Sequence, residues 1–287
     1  SLRPFFTYYG GKYRAASRYP KPRPGSVIVE PFAGAAGYSV RNYHPTTRVV
    51  LNDLDERVAV TWTYLTRATS EEIMRLPLYD GTWETVDDLT GLCQEQRWLI
   101  GWHLNKGTVS PSKSPSRWMR DALKTGANVG ANYWGKAVRE RLARQAPMVR
   151  HWEVRCGDYL DLPDEVRSPN GGELTWFVDP PYQQAGRHYR TNIVNYWQLG
   201  EWCRSRVGLT IVCENDGATW LPFKELGAIK GTAGRGRTGV SKEVIWVQNH
   251  GCAPASDGPG ARHCPPESPP LLGDESDRTV TRGHEPP

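Results

Sequence analysis

Asp179-Pro180-Pro181-Tyr182 packs more usable chemistry into four residues than any other stretch of this 287-residue chain. It closes the most apolar of the strand-like runs, Thr175-Trp176-Phe177-Val178. Two consecutive prolines cannot continue a central strand or donate backbone hydrogen bonds, so they fix a rigid exit and leave carbonyls as acceptors. An acid, a carbonyl and an aromatic ring then stand together at one strand end. That set suits a planar base carrying an amino group, with acceptors for the NH₂ hydrogens and a ring to stack on its face. The plainer alternative is a strand-terminating turn with a surface tyrosine.

Two further segments carry smaller signals. In Glu30-Pro31-Phe32-Ala33-Gly34-Ala35-Ala36-Gly37, small residues between an apolar run and a helical pattern let backbone approach a bound ligand closely. Asp53 stands 23 positions after Glu30, near the roughly 20-residue offset at which an acid after a second strand binds ribose hydroxyls. A glycine-rich turn also arises from tight packing alone. Phe5-Phe6-Thr7-Tyr8-Tyr9-Gly10-Gly11-Lys12 joins aromatics to a Gly-Gly turn and a lysine, a pattern that on its own fits a hairpin edge.

The elements that must hold these residues are legible as short apolar runs, most ending in a carboxylate. They are Val27–Val29 before Glu30, Val49–Asn52 before Asp53, Glu153–Gly157 before Asp158, Thr175–Val178 before Asp179 and Leu209–Cys213 before Glu214; a sixth run, Glu243–Val247, lacks that ending. Buried parallel strands have this composition, and ligands of open α/β sheets bind outside the carboxyl ends of the strands. Helical patterns near 55–67, 71–76, 92–104, 137–146 and 196–206 separate the runs, so the alternation predicts an α/β, doubly wound sheet. About a hundred residues divide the second run from the third, which makes 70–150 an inserted, mainly helical subdomain. The catalytic domain is then 1–69 with 151–249. Gly107–Ser116 is turn-rich and basic, and predicts a mobile loop. The eight prolines after His250 predict a disordered tail over 250–287.

Charge is modest overall, +5, but residues 97–150 hold eleven Lys/Arg against Asp121 and Glu140, a local +9. Such an excess suits nucleic-acid phosphates. The six cysteines, Cys93, Cys156, Cys203, Cys213, Cys252 and Cys264, form no CxxC or Cys/His cluster, so the sequence predicts no zinc or other metal site. No apolar run approaches 18 residues, which removes a transmembrane helix, and no signal peptide is visible. A cytoplasmic protein in a bacterial or phage-infected cell is the expectation, as a monomer or weak dimer without membrane contact.

Taken together and in this order, the three motifs resemble the Dam-like, alpha-ordered DNA N6-adenine methyltransferases. That group opens with an aromatic–Gly-Gly-Lys motif, here Tyr8 to Lys12, and continues with Glu-Pro-Phe-x-Gly, here Glu30 to Gly34. An Asn-Asp second strand (Asn52-Asp53) follows, and Asp-Pro-Pro-Tyr comes only after an inserted target-recognition region. Gly157-Asp158-Tyr159, Cys213-Glu214-Asn215 and Lys242-Glu243-Val244 are further matches; the resemblance spans residues 4–69 and 150–249. Ala36 replaces a usual glycine, Tyr8 stands where Trp is common, and the Phe-Asn-Gly signature after Leu104-Asn105-Lys106 is missing, so no target sequence carries over.

The resemblance implies a Rossmann-like methyltransferase sheet that binds S-adenosylmethionine and acts on duplex DNA. It makes Asp179, Pro180, Pro181 and Tyr182 catalytic. Its cofactor pocket is lined by Tyr8, Gly10, Gly11, Lys12, Glu30, Phe32, Gly34, Asp53, Asp158, Tyr159 and Asp179. DNA contacts fall to Asn105, Lys106, Lys113, Arg117, Arg120, Lys124, Asn132, Arg139 and Arg141. In this reading Tyr182 works through its ring and not its hydroxyl. Three alternatives stay open: a cytosine-N4, RNA or glutamine-amide methyltransferase of the same fold, a DNA-binding relative without activity, and a nicotinamide oxidoreductase resting on the glycine turn alone.

Overall fold

The computed structural model describes residues 1–127, 133–162, 173–183, 194–230 and 240–250. Its centre is a seven-stranded, mostly parallel, Rossmann-like sheet. In chain order the strands are β1 (Val27–Glu30), β2 (Val49–Asp53), β3 (Glu153–Cys156), β4 (Leu174–Val178), β5 (Gly208–Asn215), β6 (Lys224–Lys230) and β7 (Val240–His250). They lie in the order β3-β2-β1-β4-β5-β7-β6. The first five run parallel, while β7 inserts antiparallel between β5 and β6. Between β1 and β4 the strand order reverses direction, and the crevice outside the carboxyl ends there is where such sheets hold ligands.

Every residue of β1 and β4 is buried, which explains their unbroken apolar runs. Alternate residues feed opposite layers. Ile28, Leu51, Phe177 and Ile211 point into one apolar cluster, whereas Val29, Val50, Trp176 and Val212 point into the other. The helices are α1 (Gly37–Arg41), α2 (Glu56–Arg67), α3 (Ser70–Arg75), α4 (Gln94–Gly101), α5 (Arg117–Thr125), α6 (Lys136–Gln145) and α7 (Tyr196–Arg204). Of these, α1 and α2 cover the first layer through Tyr38, Trp62 and Leu65, and α7 covers the second through Leu199 and Trp202. Local signals start the helices: Asp55 caps α2, Thr69 and Glu72 form a capping box on α3, and Asn195 caps α7.

Residues 70–150 supply α3 to α6 and share the first layer with the sheet, since Leu99, Trp102, Trp134 and Leu142 belong to the same cluster as Leu51 and Trp62. The described residues up to His250 accordingly form one compact unit. The Gly107–Ser116 stretch is irregular, as expected, and is tied down by backbone hydrogen bonds from Ser112 to Gly101, from Ser116 to Leu104 and from Tyr9 to Thr108. Two elements were not expected: α5, capped by Ser116 and ended by Gly126 at a φ of 67°, and the strand β6. The sixth run is longer than expected and antiparallel. The expectation for the tail lies outside the described residues beyond His250. No helix among the described residues is long and apolar enough to cross a membrane.

Gly208 opens β5 at a φ of 98°, and a Cβ there would stand 2.3 Å from the Leu174 carbonyl oxygen. Neither the backbone conformation nor the space admits a side chain, so Gly208→Ala should lower the unfolding free energy by about 2–4 kcal/mol. Urea denaturation checks this, and a loss below about 0.5 kcal/mol, the range of an ordinary surface change, would contradict the assigned strain.

Candidate active site

The N-terminal segment is anchored before it reaches the sheet edge. Phe5 and Phe6 stack or tilt against Trp62 and Trp102 with ring centroids 5.2–5.5 Å apart. Thr7 donates to the Trp102 carbonyl at 2.8 Å, and Gly10 turns the chain at a φ of 75°. The segment then passes so close to α1 that a Cβ on Gly37 would meet the Tyr13 amide nitrogen at 2.5 Å. Here the small residue serves close backbone approach. Lys12 is thereby delivered into the interior beside the end of β4.

The turn after β1 is held from β2. Asp53 accepts from the Gly34 amide at 2.9 Å through one carboxylate oxygen and from the Asp55 amide at 2.8 Å through the other. Asn52 donates to the Pro31 and Gly157 carbonyls at 3.1 and 3.0 Å, joining this turn to the one after β3. Trp62 donates its indole N–H to the Gly34 carbonyl at 2.8 Å. Ala36, where a glycine is usual, takes a left-handed conformation at a φ of 49° and is the only non-glycine with positive φ among the described residues. Such a conformation costs a side chain about 1 kcal/mol, borne here within the ligand-facing turn.

These pieces enclose a cleft of about 920 Å³ including its mouth, lined by Tyr8, Gly10, Gly11, Lys12, Glu30, Phe32, Gly34, Asp53, Asp158, Tyr159 and Asp179. All eleven residues expected at a cofactor pocket therefore share one wall. Phe32 and Tyr159 face each other with centroids 5.3 Å apart. Leu54, Asp55, Val109 and Val194 also line the cleft and were not anticipated. Leu54 is half exposed there, and an apolar residue next to a strand-end acid was the only signal that could have found it.

At the inner end, Lys12 Nζ lies 2.9 Å from Asp179 Oδ2, 3.7 Å from Glu243 Oε1 and 2.7 Å from the Gly10 carbonyl to which it donates. Burial alone would lower the ammonium pKa, but Asp179 and then Glu243 hold it above its ordinary value. Asp179 Oδ1 is buried with no hydrogen-bond partner among the described residues. Burial pushes the Asp179 carboxyl up to about 6 against the pull of Lys12, and the Asp53 carboxyl up to about 6 against its two backbone amides. Glu30, which accepts from the Ser39 amide at 2.7 Å, is pushed by burial to about 8.

Among the tetrad, Asp179 and Pro181 line the cleft, whereas Pro180 and Tyr182 do not belong to its wall. The Tyr182 ring lies beneath Lys12 Nζ, 4.8 Å from its centroid, and its hydroxyl donates to Glu243 at 2.8 Å. The expectation gave Tyr182 a role through its ring and not its hydroxyl; in the fold the hydroxyl also has a buried partner. Glu214, buried at the end of β5, accepts from the Gln183 amide and the Trp220 indole, both at 3.1 Å. Tyr196 donates to the Pro181 carbonyl at 2.6 Å. The tetrad is therefore gripped from α7, β5 and β7.

The expected DNA-contacting residues divide. Asn105, Lys106, Lys113, Arg117, Arg120 and Lys124 are exposed on the loop before α5 and on α5 itself. Lys106 Nζ sits 4.4 Å from the Tyr133 ring centroid, and the exposed Trp118 stacks on Tyr133 at 4.7 Å. Arg139 and Arg141 instead turn inward as half-buried groups donating to the Leu76 and Pro4 carbonyls. Burial lowers the Arg141 pKa to about 10. Asn132 lies outside the described residues. The chain matches no family model and no curated protein.

The raised carboxyl groups fix a sign. A group whose folded pKa exceeds its unfolded value binds more protons when folded, so stability falls as pH rises between the two. For Glu30 that window runs from 4.5 to about 8. Unfolding free energy should decline from pH 5 to 8, and Glu30→Gln, which keeps an acceptor for Ser39, should flatten the decline between pH 6 and 8. Denaturant titrations across that range check this; an unchanged slope in the variant would contradict the assignment.

Proposed function

We propose that this chain transfers a methyl group from S-adenosylmethionine to the exocyclic N6 of an adenine flipped out of duplex DNA. The observation that carries the reading is the half-buried Asp179 carboxylate, with one oxygen held by Lys12 and the other buried without a partner among the described residues, at the wall of a cleft floored by the Glu30–Gly37 turn. A carboxylate oxygen left unsatisfied out of water costs free energy unless a donor arrives. An amino group is such a donor.

The residues of the cleft fit this cofactor. Asp53 keeps acceptor capacity on both oxygens beyond the Gly34 and Asp55 amides, as ribose hydroxyls require. Phe32 and Tyr159 offer an aromatic wall, and Asp158 an acceptor for the adenine amino group. When bound, S-adenosylmethionine supplies an electrophilic methyl group on a sulfonium sulfur. Asp179 Oδ1 and the Pro180 carbonyl accept the two amino hydrogens of the substrate base, which favours localising the nitrogen lone pair. Lys12 sits over the Tyr182 ring, 4.8 Å from its centroid. Catalysis then rests on positioning and electrostatics, and the base must leave the duplex to reach the cleft.

Residues 70–150 are the proposed target-recognition subdomain. Lys106, Lys113, Arg117, Arg120 and Lys124 would meet phosphates, and Trp118 offers an exposed ring among them. Replacing Arg117, Arg120 and Lys124 by Gln should flatten the dependence of duplex affinity on salt. Trp118→Ala should weaken binding at an unchanged salt slope. Fluorescence anisotropy from low to moderate salt checks both, and a salt-independent wild-type affinity would contradict the DNA reading.

Calorimetry should show S-adenosylmethionine binding to the wild type and at least about tenfold weaker binding to Asp53→Ala, which loses a buried acceptor. Labelled methyl transfer to duplex DNA should fall at least about hundredfold in Asp179→Ala, assayed at a temperature at which its melt shows the variant folded. A wild type that binds no cofactor would sink the proposal.

A further inference from the structure

Glu243 is a buried carboxylate at the head of an apolar run. It lies in β7, opposite Asn215 of β5, and is followed along the strand by Val244, Ile245, Trp246 and Val247, yet it is 5% exposed. Burying a carboxylate is costly unless it is paired and hydrogen-bonded. Its Oε1 meets two groups, the Tyr182 hydroxyl at 2.8 Å and Lys12 Nζ at 3.7 Å. Both belong to the site: Tyr182 ends the tetrad, and Lys12 holds Asp179.

We infer that Glu243 is a positioning residue of the transfer site, acting on Asp179 through Lys12 and fixing Tyr182 through its hydroxyl. The inference rests on the methyltransferase reading of the cleft. By drawing Lys12 toward itself, Glu243 keeps the ammonium shared between two carboxylates, so that Asp179 is held on one oxygen and its other stays open. By accepting from the hydroxyl, it sets the plane of the Tyr182 ring beneath the same ammonium. The two carboxylates share one cation. The groups facing them are Lys12 from the N-terminal segment, Glu30 from β1, Cys213 from β5, and Tyr19 and Tyr182. Of these Lys12 is the cation, and the Glu243 charge works against ionisation of Asp179.

The experiment uses the full chain with Glu243→Gln, Tyr182→Phe and the double variant. Glu243→Gln is isosteric and keeps an acceptor for the Tyr182 hydroxyl, and thermal melts confirm folding. In the cofactor-free protein, carbon-13 carboxylate resonances, with Asp179 assigned through Asp179→Asn, should give a midpoint roughly one pH unit lower in Glu243→Gln than in wild type. In steady-state transfer, Glu243→Gln should lower kcat about tenfold with KM little changed, as for loss of a transition-state arrangement. The acid limb of its pH profile should move down with the Asp179 midpoint. Since Glu243 and Tyr182 act as a unit, the double variant should be no slower than the product of the two single losses divided by about five. An unmoved Asp179 midpoint, or strictly multiplicative losses, would overturn the inference. A wild type that transfers no methyl group overturns the proposed function instead, and the titration still decides whether Glu243 governs Asp179.

Discussion

Lys12 is a cation buried where three parts of the chain converge: the N-terminal segment that carries it, the end of β4 that carries Asp179, and β7 that carries Glu243. Taking an ammonium and two carboxylates out of water is unfavourable, and only close pairing with satisfied remaining protons offsets it. The Gly10 carbonyl and the Tyr182 ring supply that satisfaction at 2.7 Å and 4.8 Å. Removing one member of a buried pair typically costs about 3–5 kcal/mol because a naked charge is left. The cluster thus fixes the geometry of the cleft's inner end, and it explains why the Phe5–Phe6 anchor and the Gly37 close approach exist at all.

The outer end depends on a different device. Asn52 and Asp53 end β2 and hold the turns after β1 and β3 by side chain, so the adjacent strand ends are cross-linked by hydrogen bonds. Most of these bonds involve backbone groups that must be satisfied where they are buried. The cleft wall is therefore built from hydrogen-bonded turns at the ends of β1, β2 and β3, beside the wholly buried strands β1 and β4, the kind of support the proposed positioning mechanism needs.

The sheet and the cleft were legible because both rest on local signals. Apolar runs ending in acids marked β1 to β5, and small residues before a helical pattern marked the turn, so every expected pocket residue reached the same wall. Long-range contacts were not legible. Arg139 and Arg141 look like phosphate ligands in a basic segment, but carbonyls at Leu76 and Pro4, 63 and 137 positions away in sequence, claim them. The helix α5 was hidden by its basic, Ser/Pro-rich approach although Ser116 and Gly126 are ordinary caps. Glu243 stood in the sequence only as part of the Lys242-Glu243-Val244 match, with no role attached; only the fold brings it to Tyr182, 61 positions earlier. The Tyr182 hydroxyl left no local signal of its partner, because that partner lies on a distant strand.

The account stands or falls on what leaves the cleft. Duplex DNA incubated with the wild-type chain and S-adenosylmethionine, digested to nucleosides and examined by mass spectrometry, should contain N6-methyladenine and little N4-methylcytosine. An acceptor pair built on Asp179 and Pro180 is assigned here to the amino group of adenine. Methylcytosine as the main product, or no methylated nucleoside from a protein that binds the cofactor, would contradict that assignment.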